Sequence, residues 1–316
     1  MNIGILYDAN NYYRSNIEKD FHMLSGITKL SNALAELKHS VILIDGISEL
    51  NELIYSKEKQ LDLIFNYIAW TRSSQKISAT SFFNYYNIPF IGNSEKALIL
   101  CADKLISKLI AQNIDIKVPK YIYDQVPEKE LTSFLDIKQS LGCPFVIKAN
   151  GSSGSLGVRK IQTQQELDLV RKDFKKKWNT GFLYEEYIDG HDIMVPVISK
   201  NNISHALGVV KYLDSHEENI NFFSTEMKYF EEIKCVSFNN ANTKIALKYA
   251  EQIHTALGCT IFSRSDFRIN PNGEIYFLEC NATPDFNPNG AFVVASNEKT
   301  LALILQEIID EVITKT

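Results

Sequence analysis

Residues 260–281 constrain the fold of this chain more tightly than any other stretch. Two segments with strand-like alternation, 260–269 and 274–281, are joined by Asn-Pro-Asn-Gly, a strong turn signal. The pair therefore reads as a β-hairpin. Arg264 and Asp266 lie two apart on the first segment and point to one side, and Glu279 and Asn281 have the same relation on the second. A hairpin brings the two pairs together. Two carboxylates, an amide oxygen and a guanidinium then share one sheet face. Oxygen donors in that number, with room left for phosphate, suit Mg²⁺. The same alternation also fits a solvated hairpin face with ordinary ion pairs.

The rest of the chain supplies the frame. Its 316 residues suggest two or three domains. In the first third, strands are expected at 2–7, 40–45, 61–68 and 88–92, with helices over 18–37 and through Phe82 and Phe83. Strands alternating with helices imply an open parallel sheet. The dinucleotide fingerprint G-x-G-x-x-G is missing, since residues 8–13 read DANNYY. The middle third reads as helix 94–112, strand 120–123, helix 128–141, strand 144–149, its hairpin partner 158–163, helix 164–177 and strand 182–188. The last third holds strands at 193–198 and 206–213, a polar stretch at 214–225, helix 242–257, the hairpin, and helix 298–313. The expected organisation is an N-terminal parallel α/β domain over 1–95, a small α+β domain over 96–181, and a larger α+β domain over 182–316.

Composition excludes several function classes. Lys and Arg total 33 against 38 Asp and Glu, a net charge of −5, so no global field favours nucleic acid or an anionic membrane. The densest basic run, at 171–177, reads as a solvated helix face. No apolar stretch approaches the ~18 residues a bilayer span needs. The first residues, MNIGILYDANN, lack a basic leader and read as no signal peptide. The five cysteines (Cys101, Cys143, Cys235, Cys259, Cys280) are widely spaced and form no C-x-x-C pair. They read as small buried hydrophobes in a reducing compartment, and a zinc site is not expected because no histidines cluster with them.

A second candidate site is the loop 151–157, GSSGSLG, which follows Lys148 at the end of an apolar strand. Small residues let backbone N–H groups close around phosphate oxygens, and Lys148 would add a point charge. No G-K-[ST] closes the loop, so it is not a Walker A sequence. A flexible hairpin turn fits the same residues.

Taken in order, these segments resemble the ATP-grasp superfamily, and within it the D-alanine–D-alanine ligase family. Asp103-Lys104 with Ser107-Lys108 is similar to that family's M-D-K-x-x-x-K helix. PFVIKANGSSGSLGV resembles its P-x-[IV]-[VI]-K-P…G-S-S-x-G-V loop, and FLYEEYIDGHD its V-x-[IV]-E-x-[FY]-I-x-G-x-E hinge. Met227-Lys228-Tyr229 resembles the A-K-Y of the family's mobile loop. The closing motif R-x-D…G-E-I-Y-x-x-E-x-N-x-x-P is matched by Arg264, Asp266, Gly273, Glu274, Ile275, Tyr276, Glu279, Asn281 and Pro284. IEKDFHMLSG at 17–26 resembles A-E-R-E-V-S-x-x-S-G, with Glu18 at the glutamate that orients the first substrate's amine.

The resemblance implies a three-domain ATP-grasp fold in which two α+β domains clasp ATP. It implies an ATP- and Mg²⁺-dependent, ADP-forming carboxylate–amine ligase that joins two amino acids through an acyl phosphate. Two Mg²⁺ ions are expected, with Mn²⁺ as a substitute, held by Asp266, Glu279 and Asn281. ATP falls to Lys104, Lys148, Ser153, Gly154, Glu185, Glu186, Tyr187, Ile188, Asp192, Lys228 and Leu278. Catalysis falls to Arg264, Lys228, Tyr229, Ser155 and Glu18, with residues 214–230 as a lid. Amino acids or short peptides are the expected substrates, with a cytoplasmic setting and a homodimer through the N-terminal domain. A nucleotide-binding module without turnover is the alternative from another class, and loss of the metal acids or Arg264 would be its signature.

The departures from the family pattern are as informative as the matches. Its H-G-x-x-G-E-D-G stretch is WTRSSQKIS here, placing Trp70 and Gln75 at the histidine and glutamate positions. Gly154 stands at the first serine of the phosphate-loop pair. After Asn281, Asp285 replaces a glycine, and Gly290 stands where a serine receives the second substrate's carboxylate. Glu18, Trp70, Gln75, Asp285 and Gly290 thus define the expected substrate pockets. A substrate pair other than two D-alanines is favoured over a D-alanine–D-alanine ligase proper of cell-wall precursor synthesis.

Overall fold

A computed structural model describes residues 1–8, 24–56, 60–68, 73–125, 131–152, 157–178, 180–220 and 233–314. The N-terminal part is a parallel sheet of β1 (Asn2–Tyr7), β2 (Ser40–Asp45), β3 (Leu63–Asn66) and β4 (Phe90–Ile91) in the order β2-β1-β3-β4. Three helices accompany it: α1 (Leu24–Glu36), α2 (Gly46–Ser56) and α3 (Ser73–Tyr85). β1 and β3 are short apolar runs covered on both faces, as parallel strands between helices must be. α2 has no counterpart in the sequence reading. It starts at Gly46, whose φ of 84° turns the chain sharply off the end of β2.

The helix expected over 94–112 is two helices, α4 (Glu95–Ala102) and α5 (Lys104–Asn113), broken at Asp103. Asp103 is extended, and its carboxylate accepts hydrogen bonds from the N–H groups of Leu105 and Ile106, both at 3.0 Å. An N-cap that satisfies two open donors starts a new helix in mid-run. It sets Lys104 at the first position of α5. Both helices pack on the third sheet: Ala97, Leu98 and Ala111 share a core with Val195, Phe267 and Phe277.

The second sheet is antiparallel. It contains β5 (Tyr121–Asp124), β6 (Phe145–Ala149), β7 (Val158–Ile161) and β8 (Phe182–Glu186) in the order β5-β8-β6-β7, with α6 (Phe134–Leu141) and α7 (Gln164–Lys177) beside it. α7 has the predicted bounds because both its ends are written locally. Thr163 and Glu166 form a capping box, and Lys175, Lys176 and Lys177 face the negative end of the helix dipole. β8 begins beyond residue 181, where the small domain was expected to end, yet it bonds to β5 and β6.

The third sheet is built around β9 (His191–Lys200). It also holds β10 (Ile203–Ala206), β11 (Val210–Leu213), β12 (Lys234–Ser237), β13 (Phe262–Ile269) and β14 (Ile275–Asn281). The order is β12-β11-β9-β13-β14, and β10 pairs separately with β9. The strand expected over 206–213 is thus two strands. α8 (Thr243–Ala256), α9 (Ala291–Ala295) and α10 (Leu301–Ile313) complete the chain. α10 returns to the N-terminal sheet, where Ile304, Leu305, Ile308 and Ile309 join Ile3, Ile5, Leu30 and Phe65 in one core. The mixture of one parallel α/β layer with two antiparallel sheets is the fold class expected from the sequence. Among the described residues, no helix is long and apolar enough to cross a membrane.

The turn from β8 into β9 depends on Gly190. Its φ is 128°, and a Cβ there would collide with the backbone carbonyl of Ile269, whose residue pairs with His191. Gly190→Ala is expected to cost at least ~1–3 kcal/mol, the scale of a residue forced into a glycine-only conformation. A urea midpoint equal to wild type would contradict this close approach.

Candidate active site

In the β13–β14 ladder, Arg264 lies opposite Asn281 and Asp266 opposite Glu279. All four side chains therefore stand on one face, as the hairpin spacing predicted. Arg264 grips Asp266 with two hydrogen bonds of 2.7 Å, from Nε to Oδ1 and from Nη2 to Oδ2. That fork fixes both planes. Asn281 Nδ2 donates to Asp266 Oδ2 at 3.4 Å. The ladder slips after Asp266, a bulge at the edge of the polar cluster.

The two acids differ electrostatically. Burial raises the Asp266 pKa to about 6 against the pull of Arg264, with Glu279 and Asp192 adding to the rise. Burial would also raise Glu279, but the cations of Lys104, Lys148 and Arg264 outweigh it and bring it to about 2. Glu279 Oε2 is 3.5 Å from Lys104 Nζ.

Three lysines stand behind this face. Lys104 Nζ also donates to the Ser152 carbonyl, and its backbone N–H donates to Asn150 Oδ1 at 2.7 Å. The start of α5 is thereby tied to the loop after β6. Lys148, at the end of β6 and 6% exposed, reaches Glu185 Oε2 at 2.8 Å. Lys108, fully buried, reaches the other oxygen of Glu185 at 3.0 Å and donates to the Phe277 and Leu278 carbonyls at 3.4 and 3.3 Å. Burial lowers the Lys108 pKa to about 8 despite Glu185. Glu185 is 2% exposed; burial pushes its pKa up, and the two lysines prevail and hold it below the ordinary carboxylate range.

The expected hinge residues follow β8. Glu186 Oε1 accepts the Lys120 N–H at 2.8 Å. Arg268 organises the others: it donates to the Ile188 carbonyl at 2.9 Å, to Asp192 Oδ1 at 2.8 Å and to the Tyr187 hydroxyl at 3.3 Å. Lys160 Nζ sits 3.6 Å from the centre of the Tyr187 ring.

Asp285, in the loop after β14, is exposed and accepts a hydrogen bond from the Tyr67 hydroxyl at 3.0 Å. Tyr67 directly follows β3. Tyr212 of β11 feels both ends of this region. Its phenol is raised first by burial and further by Asp285 and Asp266, and lowered by Arg264. Gly290 precedes α9 with extended backbone, and a Cβ there would touch Asn287 at 3.0 Å. Gln75 lies on α3. Glu18, Trp70, Ser153, Gly154, Ser155, Lys228 and Tyr229 lie outside the described residues, as does 221–230 of the expected lid.

The donor chemistry fits the expected ligands. Asp266, Glu279 and Asn281 offer hard oxygens on one face, the set Mg²⁺ takes, and Lys104 and Lys148 place positive charge near Glu279. Sequence reasoning missed Arg268, whose period-two spacing after Arg264 and Asp266 was a usable signal. It also missed Asn93, whose side chain bonds the carbonyls of Phe262 and Ala282 at 2.7 and 2.8 Å and so clamps both hairpin strands. Nothing local marks Asn93, because its partners lie 169 and 189 residues away.

A parallel α/β layer followed by two antiparallel sheets, with Lys148 of the second sheet and Lys104 of α5 set near Asp266 and Glu279 of the third, is an ATP-grasp fold. The family model described as D-ala D-ala ligase C-terminus matches residues 110–314. The D-alanine–D-alanine ligase of Flavobacterium psychrophilum is 28% identical over 215 residues, spanning 67% of this chain and 63% of that protein. The enzyme of that name from Fervidobacterium nodosum is 25% identical over 312 residues, 94% of each chain. Among solved structures, the Bacillus anthracis D-alanine–D-alanine ligase complexed with ATP aligns with a TM-score of 0.74 at 19% identity, covering 100% of this chain and 98% of that one. The VanG D-Ala:D-Ser ligase of Enterococcus faecalis aligns with a TM-score of 0.76 at 20% identity, covering 98% and 99%. The chain belongs to the D-alanine–D-alanine ligase family and is an ATP-dependent ligase of that type.

Proposed function

We propose that this ligase joins two amino acids by an amide bond, and that the substrate pair is not two D-alanines. ATP phosphorylates the carboxylate of the first amino acid to give an acyl phosphate and ADP. The amine of the second attacks the acyl carbon, and phosphate leaves. Asp266, Glu279 and Asn281 would hold Mg²⁺, two ions in all, with Mn²⁺ able to replace it, and the metal would supply neutralisation of phosphate charge. Lys104 and Lys148 bind the phosphate oxygens. Arg264 faces the charge that develops on the tetrahedral centre. Lys228 and Tyr229 close the lid and keep water from the acyl phosphate, Ser155 belongs to the phosphate loop, and Glu18 orients the first amine. The setting is cytoplasmic.

The observation that carries the substrate reading is the Tyr67–Asp285 hydrogen bond of 3.0 Å. It holds a carboxylate in place on the loop after the metal-binding strand, where the family has a glycine. A free α-carboxylate arriving there meets like charge, and a cationic or carboxylate-free amine does not. Gly290 removes the hydroxyl that would receive that carboxylate. A D-alanine–D-alanine ligase proper is the second reading, in which the hydrogen bond to Tyr67 only ties the loop down. Phosphate release with D-alanine alone, against a panel of amino-acid pairs and amines, separates the two. Asp285→Gly is expected to raise kcat/KM for second substrates carrying a free α-carboxylate by roughly five- to tenfold, the ~1 kcal/mol scale of an exposed charge contact. If D-alanine alone gives the highest kcat/KM in the wild-type panel, the altered-pocket reading is wrong.

A further inference from the structure

Three of the five cysteines meet in the core that α4 and α5 share with the third sheet. Cys101 lies at the end of α4, Cys259 between α8 and β13, and Cys280 on β14, with their Sγ atoms all within 4.8 Å of one another. Cys101 Sγ and Cys259 Sγ are 3.8 Å apart. Cys259 and Cys280 are buried and Cys101 is half-buried. The sequence reading had them as separate small hydrophobes with no zinc site; their convergence comes from folding.

One sulfur pair has the spacing of ligands to a common ion, and the third thiol lies within reach of both. A tetrahedral ion with metal–sulfur bonds of about 2.3 Å holds its sulfurs roughly 3.8 Å apart, which is the Cys101–Cys259 spacing. A disulfide needs its sulfurs at about 2.05 Å. A second observation points the same way. Ser265 lies directly opposite Cys280 in the β13–β14 ladder, is 0% exposed, and its hydroxyl faces the Cys280 thiol without a well-formed hydrogen bond to any described residue. A buried hydroxyl so placed is available as a fourth donor, an oxygen beside three sulfurs.

We propose that Cys101, Cys259 and Cys280 bind one thiophilic d¹⁰ cation of the Zn²⁺ class, with the Ser265 hydroxyl at the fourth position. Binding of Zn²⁺ releases the three thiol protons to solvent, because the thiolate is the ligand. With three thiolates and a neutral hydroxyl the site carries a net charge of −1, delocalised over the metal–sulfur bonds. Thiol donors do not compete for Mg²⁺, so this site stays distinct from the oxygen donors on the other face of β14. Cys280 stands between Glu279 and Asn281, and Cys101 ends the helix before Asp103 and Lys104. The ion therefore staples the helix pair that presents Lys104 to the strand that presents the acids.

The test uses the full-length chain, reduced, stripped with a chelator, and titrated with Zn²⁺ and separately with Cd²⁺. The expected result is one ion retained per chain after desalting, a cadmium–thiolate charge-transfer band in the ultraviolet, and a rise in Tm on Zn²⁺ addition. Cys101→Ser, at the half-buried position most tolerant of change, weakens Zn²⁺ affinity by at least about tenfold and abolishes the Tm rise. Cys143→Ser, an exposed cysteine outside the cluster, changes neither. Absence of the band with less than one ion retained in the wild-type chain overturns the proposal, as does equal retention by Cys101→Ser. An intact mass showing loss of two hydrogens on mild peroxide treatment, without metal retention by the reduced chain, identifies a redox pair instead and also overturns it.

Discussion

Arg264→Ala lowers turnover by about 10²–10³-fold at saturating ATP and Mg²⁺, the ~3–4 kcal/mol seen when a preorganised donor to developing negative charge is removed. ATP affinity is expected to hold, since Lys104 and Lys148 retain their places. A second consequence comes from the structure. Arg264 is the bidentate partner of Asp266, whose carboxyl already titrates at about 6 because of burial. Without the guanidinium, Asp266 keeps its proton to higher pH, and the Mg²⁺ concentration for half-maximal phosphate release rises. Arg264→Lys separates the two effects. A lysine restores a cation near Asp266 but not the planar fork, so the Mg²⁺ requirement recovers while kcat does not. Phosphate release measured over an Mg²⁺ titration checks both. A kcat near wild type in Arg264→Ala at saturating Mg²⁺ would remove Arg264 from the catalytic centre.

Glu185→Gln is expected to be the most destabilising of the single changes considered, at about 3–5 kcal/mol, because it leaves Lys108 and Lys148 charged and unpaired in the interior. Urea unfolding monitored by circular dichroism measures it. The loss depends on pH with a definite sign. Lys108 keeps its proton to about 8 in the folded chain against 10.5 ordinarily. The unfolded chain thus binds more protons between those values, and this group's contribution to stability rises with pH through that window. In Glu185→Gln the Lys108 pKa falls further, so the rise begins at lower pH and the deficit against wild type narrows as pH approaches 8. Glu185 itself titrates below the ordinary carboxylate range, so its stabilisation is full above that range and is lost as pH falls. The double change Lys108→Met, Glu185→Leu regains only part of that stability, since it removes the Lys108 charge but leaves Lys148 without Glu185. It still weakens ATP binding, because Lys148 no longer has Glu185 to hold it. Wild-type stability in Glu185→Gln would show that the two lysines are hydrated and the pair is not structural.

The parts of the molecule determined by sequence alone are those whose causes lie within a few residues. Period-two alternation and the NPNG turn place Arg264, Asp266, Glu279 and Asn281 on one face. Thr163, Glu166 and the terminal lysines set both ends of α7. Even the break between α4 and α5 was written locally, in Asp103, though the apolar run across it concealed the cap. Tertiary structure decided what depends on burial and on partners distant in the chain. Lys108 and Glu185 are each unremarkable charged residues until packing removes water from both, and only then does their pairing become compulsory. Asp285 accepts a hydrogen bond from Tyr67, 218 residues earlier, a partner no local pattern points to. Cys101, Cys259 and Cys280 have no sequence relation at all. They come together because α4 and β14 pack in one core, and neither spacing nor composition can report which side chains such packing brings into contact.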